Sequence, residues 1–204
     1  MIDATFIDEL ASSSPVPGGG GASAYVGALA TAAASMVGNL TVGKKTYVNV
    51  EGEVQSSLVR LDALRVRLIE LVEEDARVFE PLSATYRMPK GTPEEVTARN
   101  DAMQAALVGA CEVPLEIMRK VAKTVDEIDF LAHYGSKLAR SDAGVAAAFA
   151  RAAVDGASLN VFINVASMQD ATLADCFRNE AEALIEDVRM RCDDLFDYVK
   201  AAVS

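Results

Sequence analysis

Residues 10–43, LASSSPVPGGGGASAYVGALATAAASMVGNLTVG, contain no charged side chain, and their reading decides the fold. Pro15, Pro17 and the four glycines Gly18 to Gly21 mark a turn. The part from Ala22 to Val42 is rich in Ala, Gly, Ser and Thr, with apolar residues all round. A helix of that kind must be buried on every side. A run of this length also passes the crude test for a membrane span, but its side chains are small and no aromatic belt brackets it. Ala24, Ala28, Ala32 and Ser35 instead let neighbouring helix backbones approach closely in a soluble bundle.

The rest of the chain agrees with an all-α, single-domain, multi-helix bundle over residues 1–204. Its composition is 51% hydrophobic, only 6% aromatic and without Trp, so the apolar content lies in Ala, Val and Leu, which favours packed helices over a sandwich of strands. A formal net charge of −11 argues against a nucleic-acid-binding face, which needs clustered Lys and Arg. Asp3, Asp8 and Glu9 stand where a signal peptide would carry positive charge, so a cytoplasmic address is expected. Cys111, Cys176 and Cys192 are odd in number and widely spaced, and read as reduced thiols. With His133 the only histidine and no C-x-x-C pair, the usual zinc-deaminase ligand set cannot be assembled, and no metal is expected.

The helices follow from pattern and punctuation. Met1 to Ala11 reads as a short amphipathic helix with Phe6, Ile7 and Leu10 turned inward. A long helix runs from about Glu51 to Arg87. Thr92, Pro93 and Glu95 form a capping-box start for a helix towards Asp129, with a kink or break at Pro114. Ser141 or Asp142 caps the next helix, which reaches about Met168, and a last one runs from about Ala171 to Ala201.

Three features break this pattern. In the long helix an apolar stripe passes through Val54, Leu58, Leu61, Leu68, Val72, Phe79 and Leu82, and Asp75 falls in its register. A carboxylate so placed loses hydration and takes up a proton more readily, as a proton-shuttling group near neutral pH requires. The alternative is a structural ion pair with Arg65, on the same stripe, or with a lysine from another helix. Glu73 and Glu74 read as solvated charge. Second, Lys44 and Lys45 in GNLTVGKKT, residues 38–46, nearly match a phosphate-binding loop, but Lys45 occupies the hydroxyl position and a helix precedes them. They read as a dock for a carboxylate-bearing ligand or as a solvated helix end. Third, Gly144, Ala148, Ala152, Gly156, Asn160 and Asn164 form one row at four-residue spacing, which ends in two amides that must find partners at a helix interface or on a polar heterocycle. The glycine-rich start of the charge-free helix also offers free N–H groups to an anion or carbonyl.

Taken in order, SSSPVPGGGGASA (12–24), GNLTVGKKTY (38–47), LVEEDARVFEPL (71–82), ACEVPLEIM (110–118) and SDAGVAAAFARAAVDGASLNVFIN (141–164) resemble the formiminotetrahydrofolate cyclodeaminase and methenyltetrahydrofolate cyclohydrolase family, the C-terminal domain of formiminotransferase-cyclodeaminase. The resemblance covers about Asp8 to Asp170. It implies a helical homodimer acting on a tetrahydrofolate derivative, with or without a polyglutamyl tail, and with no cofactor beyond that substrate. The implied chemistry closes 5-formiminotetrahydrofolate to the 5,10-methenyl form with loss of ammonia, or interconverts 5,10-methenyl- and 10-formyltetrahydrofolate. The family's catalytic acid falls on Asp75. Lys44 and Lys45 fall at positions expected to hold the glutamyl tail or the pterin, and Pro17, Gly18, Gly19 and Gly20 at the pocket wall. Ser141, Asp142, Asn160 and Asn164 occupy further motif positions expected to bind substrate. The fourth glycine, Gly21, and HYGSKLARSD (133–142) depart from the commoner pattern. A non-catalytic folate binder or purely structural helical dimer is the competing reading, against which Asp75 weighs.

Overall fold

The computed structural model describes residues 4–204, so Met1, Ile2 and Asp3 of the expected first helix lie outside the described residues. The described residues form six α-helices and no strand: α1 (Ala4–Leu10), α2 (Gly19–Asn39), α3 (Glu51–Thr85), α4 (Pro93–Tyr134), α5 (Arg140–Val165) and α6 (Ala171–Val203). Helix α2 packs between α3 and α5, α4 lies against α3, α5 and α6, and α6 closes the bundle on α5. Close packing around α2 depends on missing side chains. A Cβ at Gly27 would stand 2.9 Å from a Val121 methyl of α4.

Several boundaries differ from expectation for local reasons. Thr92 caps α4 as anticipated: the Glu95 N–H donates to Thr92 Oγ1 at 3.3 Å and the Thr92 N–H donates to Glu95 Oε2 at 3.2 Å. Pro114 does not break α4, which continues to Tyr134. Proline supplies no N–H to the carbonyl four residues earlier, so Ala110 O would go unmatched; the Asn164 amide of α5 donates to it at 2.7 Å instead. Neither Ser141 nor Asp142 caps α5, because the helix already starts at Arg140 and both lie in its first turn.

Two expectations of burial are corrected. No residue of α1 is buried: Phe6 meets Tyr25 at 5.2 Å between ring centroids, while Ile7 and Leu10 are exposed. Nor is α2 buried on every side. Leu29 and Met36 are 41% and 51% exposed, and with Ala32 they form an outward stripe. The opposite side carries Ala24, Ala28, Ala30, Ala34 and Val37 into the core beside Leu61, Leu68 and Leu71 of α3.

Core leucines contribute roughly 1.5–3 kcal/mol each when fully buried, against roughly 0.2–1 kcal/mol for an exposed ion pair. The bridges between helices therefore set register more than stability. Arg67 joins α3 to α4 by bonding both Glu74 and Glu116, so Glu74 is not plain solvated charge. Arg119 likewise ties α4 to Glu180 of α6. Burial pushes the Cys111 and Cys192 thiols up to about 12, and Cys176 is exposed; all three are free.

Candidate functional site

Asp75 occupies the wall of a cleft of about 340 Å³, at the lower end of the range for small-molecule sites, roughly 300–1,000 Å³. The cleft is enclosed by the segment before α2 (Pro15, Val16, Gly18), one face of α3 (Asp75, Phe79, Leu82) with Tyr86 just past its end, α4 (Met103, Leu107) and the last turns of α5 (Asn160, Ile163, Asn164). Most of this lining is apolar. The polar side chains on it are the Asp75 carboxylate, the Asn160 and Asn164 amides, and the Ser167 and Tyr86 hydroxyls.

The apolar register of α3 carries Asp75 to this wall, where it meets the start of α2. The Gly21 N–H donates to Asp75 Oδ2 at 2.8 Å. A Cβ on Gly20 would run into the same carboxylate, so glycine there lets helix and acid meet. Burial pushes the Asp75 carboxyl above its usual range, and the Gly21 bond draws it partly back. No cation pairs with Asp75 among the described residues, and Arg65 is engaged with Asp62 instead. Asp75 is therefore not half of the structural ion pair weighed as its alternative.

The two amides are each held by one bond. Asn160 Nδ2 donates to Gly156 O at 3.0 Å, and Asn164 Nδ2 donates to Ala110 O at 2.7 Å. Both side chains also line the cleft, so each is fixed by one bond and still borders the open space. Around them, the N–H groups of Gly19 and Gly20 in the first turn of α2 have no acceptor among the described residues. They are the unsatisfied donors of a helix start, at the positive end of its dipole.

Within one chain the expected site residues separate into two groups. Gly18 lines the cleft, Gly19 adjoins the Asn160 amide, Gly20 abuts Asp75, and Pro17 follows a cis peptide bond from Val16 without lining the cleft. Lys44 and Lys45 lie past the far end of α2, a helix roughly 30 Å long. There Lys44 Nζ donates to Ser136 Oγ at 3.1 Å, and Ser136 N–H donates to Thr41 Oγ1 at 2.8 Å, which ties the α2–α3 connection to the α4–α5 connection. Lys45 is exposed. Gly43 turns the chain into this connection with φ of 77°, a conformation that suits glycine. Ser141 and Asp142 share that end, at the start of α5, whereas Asn160 and Asn164 are near its finish.

Sequence reasoning missed the apolar cleft wall, Tyr86, Met103, Leu107 and Ile163, because nothing in a single helix pattern says which apolar residues face a cavity rather than the core. It placed Gly21 among the helix-start N–H groups open to an anion and as a departure from the commoner pattern, without pairing it with Asp75. Its N–H is the Asp75 donor, and a Cβ there would stand 3.3 Å from the Val72 carbonyl oxygen.

The comparisons with known proteins bear on the fold and the family. The family model described as formiminotransferase-cyclodeaminase matches residues 3–183. The methenyltetrahydrofolate cyclohydrolase of Methylorubrum extorquens is 38% identical over 98% of this chain and 96% of its own length. The formimidoyltransferase-cyclodeaminase of Rattus norvegicus is 33% identical over 93% of this chain, which spans 36% of that longer protein. Among solved structures, formiminotetrahydrofolate cyclodeaminase from Thermotoga maritima superposes with a TM-score of 0.81 at 29% identity, over 99% of this chain and 95% of that one. By the helical architecture and by these matches over nearly its whole length, the chain belongs to the formiminotransferase-cyclodeaminase family.

Proposed function

We propose that this protein is a folate one-carbon enzyme that uses Asp75 as a proton shuttle at the carbon bridging two folate nitrogens. The observation that carries the reading is Asp75 itself, a half-buried carboxylate without a cation, facing a cleft and held by a helix-start N–H. A purely structural bundle has little use for it, since a stranded carboxyl costs stability unless its charge is matched.

In the cyclohydrolase direction, water attacks the methenyl carbon while Asp75 takes one of its protons. The tetrahedral carbon then releases one ring nitrogen, to which Asp75 returns that proton. The remaining hydroxyl loses its proton to solvent as the formyl group forms. In the cyclodeaminase reaction, the second folate nitrogen attacks the formimino carbon and gives up its proton to Asp75. The formimino group enters protonated, as C=NH2+, so the proton that Asp75 passes to its nitrogen completes the ammonia that leaves, and the cationic methenyl product carries the charge of the substrate. One carboxylate between the two nitrogens serves both reactions, with Asn160 and Asn164 orienting the heterocycle and the free N–H groups of Gly19 and Gly20 opposing developing negative charge.

Cyclohydrolase activity is the first reading because the relative of matching length with 38% identity carries that name. Deamination is the second, favoured by the structural neighbour of matching length. An absorbance assay separates them: purified protein should discharge the 5,10-methenyltetrahydrofolate chromophore, or build it up from 5-formiminotetrahydrofolate. No change with either substrate would reject the enzyme reading in favour of a folate binder. The protein acts as a homodimer in this reading, with the outward apolar stripe of α2 as the motive.

A further inference from the structure

The geometry points to a composite active site: a second copy of this chain, packed antiparallel across the outward faces of α2 and α5, brings its Lys44 and Lys45 to the Asp75 cleft. The proposal rests on the folate reading for what the site does, and on the following features for how it is built.

Helices α2 and α5 run antiparallel, since Gly19 adjoins Asn160 and a Cβ at Gly156 would strike Ser23. Each leaves an apolar stripe outside. On α2 it is Leu29, Ala32 and Met36; on α5 it is Val145, Ala148, Phe149, Ala152, Leu159 and Ile163. Leu159 and Ile163 are 67% and 70% exposed, an unusual state for large side chains on the most apolar helices of an acidic protein. On α2 the exposed Ala32 stands between the bulkier Leu29 and Met36, whereas on α5 Phe149 lies between Ala148 and Ala152, and Leu159 and Ile163 carry the stripe on to the cleft end. The small residue at the middle of α2 suits two copies of that helix crossing most closely there, where a two-fold axis would pass.

The two ends carry complementary parts for a carboxylate-bearing ligand, an acid for its reacting atoms and ammonium groups for its carboxylates. At one end of the face is the Asp75 cleft, without a cation of its own chain, and Ile163 belongs to both the cleft wall and the exposed stripe, so face and cleft are continuous. At the other end Lys45 has no ion-pair partner among the described residues, and Lys44 touches only the neutral Ser136 hydroxyl. An axis near Ala32 is about midway along α2 between Gly20, against Asp75, and the lysine pair. A two-fold rotation about it exchanges the two ends, so each cleft receives the partner copy's ammonium pair. A folate held there would place its reactive bridge at Asp75 and its carboxylates towards those ammonium groups.

The test is subunit complementation. The Asp75→Asn protein and the Lys44→Ala/Lys45→Ala protein are each purified, then mixed under conditions of subunit exchange and assayed for methenyl chromophore turnover. Random exchange makes half of the dimers mixed, and one of the two sites in each mixed dimer is then intact, so activity should recover to about a quarter of the wild-type value. Activity no higher than the mean of the two parents would show that the lysines serve their own chain, and would overturn the proposal. The interface is read separately, without activity. Ala32→Cys in a Cys176→Ser background should give an oxidised dimer of twice 21.6 kDa on a non-reducing gel. A mass near 21.6 kDa in sedimentation, or flotation of the protein with neutral phospholipid vesicles through the same face, would overturn it as well. A crosslinked dimer inactive on both folates would reject the folate reading while leaving the packing in place.

Discussion

At the scale of single residues, two neighbouring carboxylates are driven in opposite directions by their surroundings. Arg67 holds Glu74 below the usual carboxylate range, while burial lifts Asp75 above it. The first contributes stability that is complete above the unfolded Glu value, about 4.3, and is lost as pH falls through its lowered folded value. The second does the reverse. Its ionisation opposes folding, a penalty absent at pH below the unfolded Asp value, about 3.9, and growing as pH rises towards the raised folded value. Asp75→Asn should therefore melt at or above the wild-type temperature at pH 7, with the difference vanishing near pH 3.5, in thermal unfolding followed by circular dichroism. A lower melting temperature at pH 7 would mean that a charged partner had been stranded. Gly20 supplies a second check: Gly20→Ala should leave the helical signal intact and abolish most turnover, because the added Cβ takes the space of the Asp75 carboxylate. Turnover near wild type would show that Asp75 need not sit against the start of α2.

The elements show why some of this was legible in sequence and some was not. Thr92, Pro93 and Glu95 carry their own local geometry, and the apolar register through Val54 and Leu82 fixes one face of α3; both are visible without tertiary structure. Pro114 is different. A proline inside a helix reads as a break unless another element satisfies the carbonyl it leaves free, and that partner, Asn164, lies 50 residues further along. The two amides at the end of the α5 row were recognisable as groups in need of partners, but which carbonyl takes Asn164 depends on how α5 packs on α4. Asn164→Ala should cost about 1–3 kcal/mol in urea unfolding by leaving Ala110 O unmatched. In a Pro114→Ala background the backbone N–H is restored, and the same change should cost clearly less, a coupling that a double-mutant cycle reads directly. Equal costs in both backgrounds would contradict the assignment of Asn164 to that carbonyl.

For the whole molecule, the small uncharged side chains from Ala22 to Val42 imply burial on all sides, yet α2 keeps one apolar side outside. Composition reports that a surface avoids water without reporting whether its own chain or another covers it. The motif residues were likewise legible as a set, but their division between two ends of the bundle was not, since sequence order carries no distance. The bundle brings one part of that set together, Asp75 with the glycine-rich start of α2 and the two asparagines, around a cleft of ligand size. The central claim is that Asp75 moves the proton, and the direct measurement is steady-state turnover of the methenyl chromophore by Asp75→Asn and wild type at equal folded concentration. The account predicts a kcat lower by roughly 10²- to 10⁴-fold with KM little changed; a stable Asp75→Asn protein with wild-type kcat would contradict it.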